Sequence, residues 1–192
     1  MTKSISLQPG NYYHIFNRGN NRENIFIQER NYYYFLQLYT SYNDPVAETF
    51  AYCLLRNHFH LLVRIKDMAD SPLTPSQHFS HLFNAYPRTI NRTYQRSGAL
   101  FQRPFDRIAV TSDSYFLQLI AYIHQNPQKH GFVKDFRDWP YSSYQPLSST
   151  RPTHLRRDEV LAWFDGVEQF VDFHQEKAKE TQIAVLIQED ID

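Results

Sequence analysis

Cysteine is almost absent, Cys53 being the only one in 192 residues. A lone thiol excludes an internal disulfide framework and a four-cysteine zinc site, and it points to a reducing compartment, with Cys53 a small core residue of a strand. Long apolar runs are missing too: no segment is predicted to span a bilayer, and Met1 to Leu7 lacks the apolar stretch of a secretory signal. The expectation is a cytoplasmic protein with no membrane partner. No Gly-x-x-x-x-Gly-Lys phosphate loop occurs, so no nucleotide cofactor is expected. Net charge is also lacking, since 20 Lys and Arg balance 20 Asp and Glu. The balance hides an asymmetry: residues 1–157 carry 18 basic against 10 acidic side chains, and residues 158–192 carry 2 against 10, which puts the body at +8 and the tail at −8. A basic body with an acidic tail suits a polyanion binder whose tail moderates non-specific contacts, although the tail by itself reads first as a solvated helix.

What the chain has in quantity is aromatic side chains, 15 Phe, 14 Tyr and 2 Trp, which serve cores and base-stacking surfaces alike. Periodicity and breakers give strands at Tyr12 to Asn17, Thr49 to Leu55, His58 to Ile65 and Arg107 to Val110. Helices are predicted at Glu29 to Tyr42, at Ser76 to Arg96 after the Ser71-Pro72-Leu73-Thr74-Pro75 loop, and from Ser112 or Asp113 to a stop before Pro127. The order β-α-β-β-α-β followed by a helix is that of an α+β, ferredoxin-like split βαβ fold, a four-stranded antiparallel sheet with two helices on one face. Residues 1–147 read as the domain. Residues 148–192 read as an acidic helical extension, with stretches at Asp158 to Phe164 and Val167 to Thr181 whose Trp163, Phe164, Phe170, Val171 and Phe173 suit docking on the body.

The chemistry concentrates at Asn57-His58-Phe59-His60, where strand alternation points His58 and His60 to the same face. Two imidazoles at that spacing suit one metal ion, but a His-x-His taken alone is more often a pair of ordinary histidines. The helix after the fourth strand carries Tyr122 and Asn126 four residues apart, hence on one stripe. Phe116, Ile120 and Ile123 form another stripe that can face the sheet, leaving Tyr122 to project elsewhere. With 14 tyrosines, any one taken at random is packing, and Tyr115 shares the Tyr122 stripe. His78, His81, His130 and His154 show no ligand pattern.

Together, Tyr52-Cys53-Leu54-Leu55-Arg56-Asn57-His58-Phe59-His60-Leu61-Leu62-Val63, Tyr122-Ile123-His124-Gln125-Asn126-Pro127 and Trp139-Pro140-Tyr141-Ser142-Ser143-Tyr144 resemble the single-tyrosine HUH transposases. The nearest branch is the REP-associated tyrosine transposases. Asn17-Arg18-Gly19-Asn20 and Phe101-Gln102-Arg103 add matching blocks, so that the resemblance covers about Asn11 to Leu147. It implies that His58 and His60 are metal ligands, that Tyr122 is the nucleophile, and that Asn126 completes the metal site with its amide oxygen. His124 stands as a substitute or supporting group for Asn126, whose side chain is one methylene shorter than the family's frequent Gln. A divalent metal, Mg²⁺ or Mn²⁺, follows from the mixed imidazole and amide set. The implied reaction is cleavage and rejoining of hairpin-bearing single-stranded DNA through a 5′-phosphotyrosine, with a homodimer left open. Two alternatives stay open: a relative that only binds structured DNA or RNA, and a metal hydrolase that uses activated water. The Gly-Arg-Glu-Trp motif of some REP-associated members is absent.

A DNA surface is expected along the long helix, where Arg88, Arg92 and Arg96 recur every four residues, joined by Arg18, Arg22, Arg103 and Arg107. Tyr86, Phe101 and Phe105 are the candidates for stacking on unpaired bases. Trp139-Pro140-Tyr141 reads as a packing element that also suits ordering of the DNA or of the active-site helix.

Overall fold

Four strands, β1 (Tyr12–Arg18), β2 (Ala47–Leu54), β3 (His58–Ile65) and β4 (Asp106–Val110), form one antiparallel sheet in the order β2-β3-β1-β4. Helix α1 (Glu29–Asn43) connects β1 to β2, and α2 (Pro75–Thr93) lies between β3 and β4. This is the ferredoxin-like arrangement expected from the order of elements. The structure, a computed structural model, describes residues 5–67 and 72–179. Ser71, in the loop before α2, and Thr181, the expected end of the last helix, lie outside the described residues.

Both faces of the sheet are covered, which is why β3 reads as a nearly unbroken apolar run after its two histidines. Phe59, Leu61 and Val63 pack against α1 and α2, among Phe35, Phe79, Leu82, Phe83 and Tyr86. Leu62 faces the other way, with Phe50, Ala51 and Cys53 of β2, beneath α3 (Asp113–Lys129) and its Phe116, Leu119, Ile120 and Ile123. A bulge between Thr49 and Ala51 interrupts the alternation of β2, and Phe50, Ala51 and Cys53 all join the α3 side. Each such fully buried side chain contributes roughly 1.5–3 kcal/mol. One face of the sheet therefore seats the ordinary core, while the other brings α3 over β2 and β3.

Helix ends explain the main departures from expectation. Thr74 caps α2 by accepting from Gln77 N, with Pro75 in the first turn where its missing N–H costs nothing. The helix stops at Thr93, short of Arg96, as Gln95 takes a left-handed conformation at φ 52°. Helix α3 runs through Pro127 to Lys129 rather than ending before it. Proline there forfeits one backbone bond in the last turn only, and the chain closes by bonds from His130 N to Asn126 O and from Phe132 N to Pro127 O.

Beyond α3 come α4 (Tyr144–Ser148), α5 (Arg157–Trp163) and α6 (Val167–Lys179). Val160, Phe164 and Phe170 are buried in the same cluster as Phe116, so the extension shares its core with α3.

Candidate metal and nucleophile site

The antiparallel register sets Phe16 opposite His60 and Arg18 opposite His58, so the two histidines of β3 share a face with the even-numbered residues of β1. His58 and His60 are 5% and 3% exposed, with ring centroids 5.2 Å apart at 86°. Capped by Ser112, which accepts from Tyr115 N, α3 crosses above them and sets the Tyr122 ring 5.6 Å from that of His60 and 6.5 Å from that of His14. Asn126 follows one turn later, its Nδ2 donating to Tyr122 O at 3.0 Å. Two histidines, the tyrosine and the asparagine, drawn from sequence positions more than sixty apart, are thus arranged on β3 and one stripe of α3.

The hydrogen bonds leave lone pairs where a cation needs them. Asn57 Oδ1 can only accept, so His58 Nδ1 carries the ring proton and donates across 2.8 Å, leaving Nε2 as a lone pair. His60 Nδ1 meets His14 Nε2 at 2.9 Å. His58 Nε2, His60 Nε2 and Asn126 Oδ1 are all buried and make no hydrogen bond. Orphaned buried polar atoms are costly, and three of them on the three candidate ligands fit an oxygen- and nitrogen-binding divalent ion. Among the described residues no three His, Cys, Asp or Glu side chains form a metal-holding group, so a third protein donor beside His58 and His60 would have to be of another kind, such as the Asn126 amide. Burial holds His58 at a pKa of about 3, helped by the positive charges of Arg18 and Lys129 and by His130. Burial likewise pushes His60 well below its ordinary value. Both imidazoles are therefore neutral, the form that ligates.

Several neighbours were not legible as site residues. His14 lies on β1, fully buried against His60. His130 sets its ring 5.0 Å from that of His58, because α3 continues past Pro127 and puts Asn126 and His130 one turn apart. The i,i+4 spacing of those two was the available signal, masked by the expected helix stop. Lys129 holds its ammonium 5.0 Å from the centre of the Tyr122 ring. Tyr122 points away from the Phe116–Ile123 stripe but is buried, 2% exposed beneath that lysine.

His124 is not available as a substitute ligand. Its Nδ1 meets His174 Nε2 at 2.8 Å and its Nε2 meets Ser143 Oγ at 2.7 Å, which occupies both ring nitrogens inside the α3–α6 interface.

The arginines do not form one patch. Arg18 borders the site, half-buried opposite His58. Arg22, Arg88, Arg92 and Arg103 are exposed, Arg103 donating weakly to Asn84 Oδ1 at 3.4 Å. Arg96 is engaged by Glu23 and by Asn91 Oδ1, and Arg107 is half-buried, donating to Ser76 Oγ at 2.6 Å with its guanidinium 4.5 Å above the Phe105 ring. Since α2 covers the sheet face opposite to His58 and His60, Arg88 and Arg92 sit on the other side of the sheet from the site. Tyr86, Phe101 and Phe105 are 0%, 4% and 8% exposed, and so are core residues rather than stacking surfaces.

No family model matches the chain. A protein of Haemophilus influenzae provisionally named a REP-associated tyrosine transposase is 31% identical over 106 residues, a match that takes in 50% of this chain and 58% of that relative's length. A solved structure of a REP-associated tyrosine transposase bound to a REP hairpin superposes with a TM-score of 0.60 at 19% identity, covering 79% of this chain and 88% of that one. The chain is similar to REP-associated tyrosine transposases over these spans. The structural likeness carries the fold, and the sequence likeness extends over about half of the chain. No helix among the described residues is long and apolar enough to cross a membrane.

Proposed function

We propose that the chain is a single-tyrosine HUH transposase, which cleaves and rejoins hairpin-bearing single-stranded DNA through a 5′-phosphotyrosine. The observation that carries this reading is that three candidate ligand atoms, His58 Nε2, His60 Nε2 and Asn126 Oδ1, are buried without a hydrogen-bond partner, with the Tyr122 ring 5.6 Å from that of His60. His58, His60 and Asn126 would hold Mg²⁺ or Mn²⁺. Bound there, the metal would polarise the scissile phosphate and offset charge that develops during displacement. Tyr122 Oη attacks phosphorus; the Oη–P bond forms, the P–O3′ bond breaks, the phenol proton departs and the 3′-oxygen gains one. Rejoining is the reverse step with a different 3′-hydroxyl, and no nucleotide cofactor enters. Arg18, beside His58, supplies positive charge for the DNA strand.

A second reading, a relative that binds structured nucleic acid without cutting it, is favoured by the burial of Tyr122 under Lys129. One experiment separates the two. Incubating the chain with stem-loop DNA and Mn²⁺ should give a protein–DNA adduct that survives denaturing electrophoresis and disappears in Tyr122→Phe. Binding without adduct selects the second reading, and an adduct that persists in Tyr122→Phe overturns the nucleophile assignment.

A further inference from the structure

We propose that a hollow at the β2–β3 end of the sheet, around the corner from His58, holds one unpaired nucleotide with its base stacked on Tyr141 and its phosphate met by Arg56. The proposal rests on the reading of the chain as a nucleic-acid enzyme, and adds to it a second point of contact apart from His58, His60, Tyr122 and Asn126.

The hollow has a volume of about 390 Å³ and is lined by Gln28, Glu29, Tyr32, Arg56, Trp139 and Tyr141, among others. That is near the lower end of the range for small-ligand sites, roughly 300–1,000 Å³. Among its lining is a column of parallel rings that rises out of the core. Phe26 stacks on Tyr32 at 4.4 Å and 14°, and Tyr32 stacks on Tyr141 at 3.7 Å and 7°. Phe26 and Tyr32 are buried, whereas Tyr141 is half-buried and ends the column. The other ring neighbours of Tyr141, Tyr33 at 77° and Trp139 at 83°, are edge-on, so among the described residues its stack has a parallel partner on one side only. An aromatic face that ends a stack at the surface is the feature on which a base continues it, and any base suffices because each has a π-face.

The platform is held rigid. Leu54 N donates to Tyr141 O at 2.9 Å, Ser143 N to Tyr52 O at 2.9 Å, and Trp139 Nε1 to Leu54 O at 2.9 Å, which fastens the 139–143 segment along β2. Arg56 is exposed in the β2–β3 turn, and its carbonyl accepts from both Ile25 N and Phe26 N, so the turn is fixed as well. Only Asn57 separates Arg56 from His58, a span of at most about 7 Å. A strand leaving the phosphate at His58 and rounding the end of the sheet meets a guanidinium first and the Tyr141 face next. Glu29 and Gln28 on the rim offer hydrogen-bonding groups to a base edge.

The test uses the full chain and two DNA probes, a stem-loop with oligo-dA flanks and the same stem-loop without flanks, with 2-aminopurine placed at each flank position in turn. Wild type should quench the fluorescence at one flank position. Tyr141→Leu, which keeps apolar bulk and removes the π-face, should abolish that quench and weaken binding of the flanked probe by roughly 5- to 150-fold, the range found for loss of one base–aromatic stack. Binding of the unflanked probe should not change. Arg56→Ala, an exposed change with little bearing on folding, should weaken the flanked probe selectively and flatten its salt dependence. Absence of a quenched position in wild type, or equal losses on both probes in a Tyr141→Leu protein that melts like wild type, overturns the proposal. Adduct formation without quenching removes the nucleotide pocket and leaves the transferase standing; quenching without adduct does the reverse.

Discussion

His14 Nε2 lies 2.9 Å from His60 Nδ1, with the two rings stacked at 22° and 5.1 Å between centroids. Only one proton fits between them. If His60 holds it, His60 Nε2 is a lone pair and faces the site; if His14 holds it, His60 Nε2 is protonated and cannot ligate. Metal binding through His60 would therefore require His14 to accept, and His14 would then act as a positioning residue for His60 in the manner of other groups behind metal-bound histidines. His14→Phe should keep the ring packing while lowering Mn²⁺ affinity by about 10- to 100-fold in calorimetric titration. His14→Gln, whose amide oxygen can accept, should recover part of the loss. Nitrogen NMR of the Mg²⁺-loaded protein should show His60 protonated at Nδ1 in wild type, and unchanged metal affinity in His14→Phe would rule out the positioning role.

The exposed and engaged arginines should separate in salt titrations. Arg88 and Arg92 stand clear on α2, whereas Arg96 is paired with Glu23 and Asn91. Each phosphate contact on a single strand contributes about 0.7 to the slope of log affinity against log salt. The double change Arg88→Ala with Arg92→Ala should therefore lower that slope by up to about 1.4, across probes of any sequence. Arg96→Ala should leave the slope alone. A slope loss in Arg96→Ala equal to that of either exposed arginine would show that the Glu23 pair opens for DNA.

Acid should weaken the α3–α6 interface, which holds one of the buried neutral histidine clusters of the fold. His174 Nδ1 donates to Phe170 O at 2.7 Å, so its Nε2 must accept from His124 Nδ1, and His124 Nε2 in turn accepts from Ser143 Oγ. Every member of that chain is neutral. Burial lowers His174 to about 4 and His124 well below its ordinary value. The unfolded chain takes up these protons near pH 6.5 and the folded chain only near 4 or below, so the unfolded state binds more protons in between. Stability should be full above pH 6.5 and fall by up to about 1.4 kcal/mol per pH unit for each histidine as pH drops from 6.5 toward 4. Urea midpoints measured across that interval check the sign. His174→Phe should flatten the dependence, and an equally steep curve in that variant would place the acid sensitivity elsewhere.

How much could be read without coordinates depended on whether a signal was local. Strand alternation at His58-Phe59-His60-Leu61 is a local property, and it put both imidazoles on one face. The order of elements gave the ferredoxin-like sheet for the same reason. Partners set by register were invisible: nothing in Tyr12-Tyr13-His14 says that β1 lies beside β3 with Phe16 opposite His60. Pro127 misled because the cost of proline depends on how much helix follows it, and only two residues do. The arginine spacing on α2 was correctly periodic but silent about which face of the sheet the helix covers. Tyr86, Phe101 and Phe105 were mistaken for stacking surfaces since aromatic rings look the same in a core and at an interface.

The loop after β1 is the place where a single methyl group should reach the site. Gly19 takes ordinary dihedrals, φ −60° and ψ 135°, so its need for glycine is one of space. A Cβ there would lie 2.0 Å from the Glu23 carbonyl oxygen, a backbone atom that cannot swing aside. Gly19 N donates to Asn57 O at 2.7 Å, and Gly19 bridges to Phe101, so any shift is passed to the residue before it and to the turn before His58. That preceding residue is Arg18, opposite His58. Gly19→Ala should destabilise the fold by about 1–3 kcal/mol, the usual cost of overpacking, read as a lower urea midpoint at an unchanged slope. It should also reduce Mn²⁺ affinity, because Asn57 sets the tautomer of His58. A Gly19→Ala protein with the wild-type midpoint would mean that the 20–23 turn moves as a unit; wild-type metal affinity alongside a lowered midpoint would mean that the displacement stops short of Asn57.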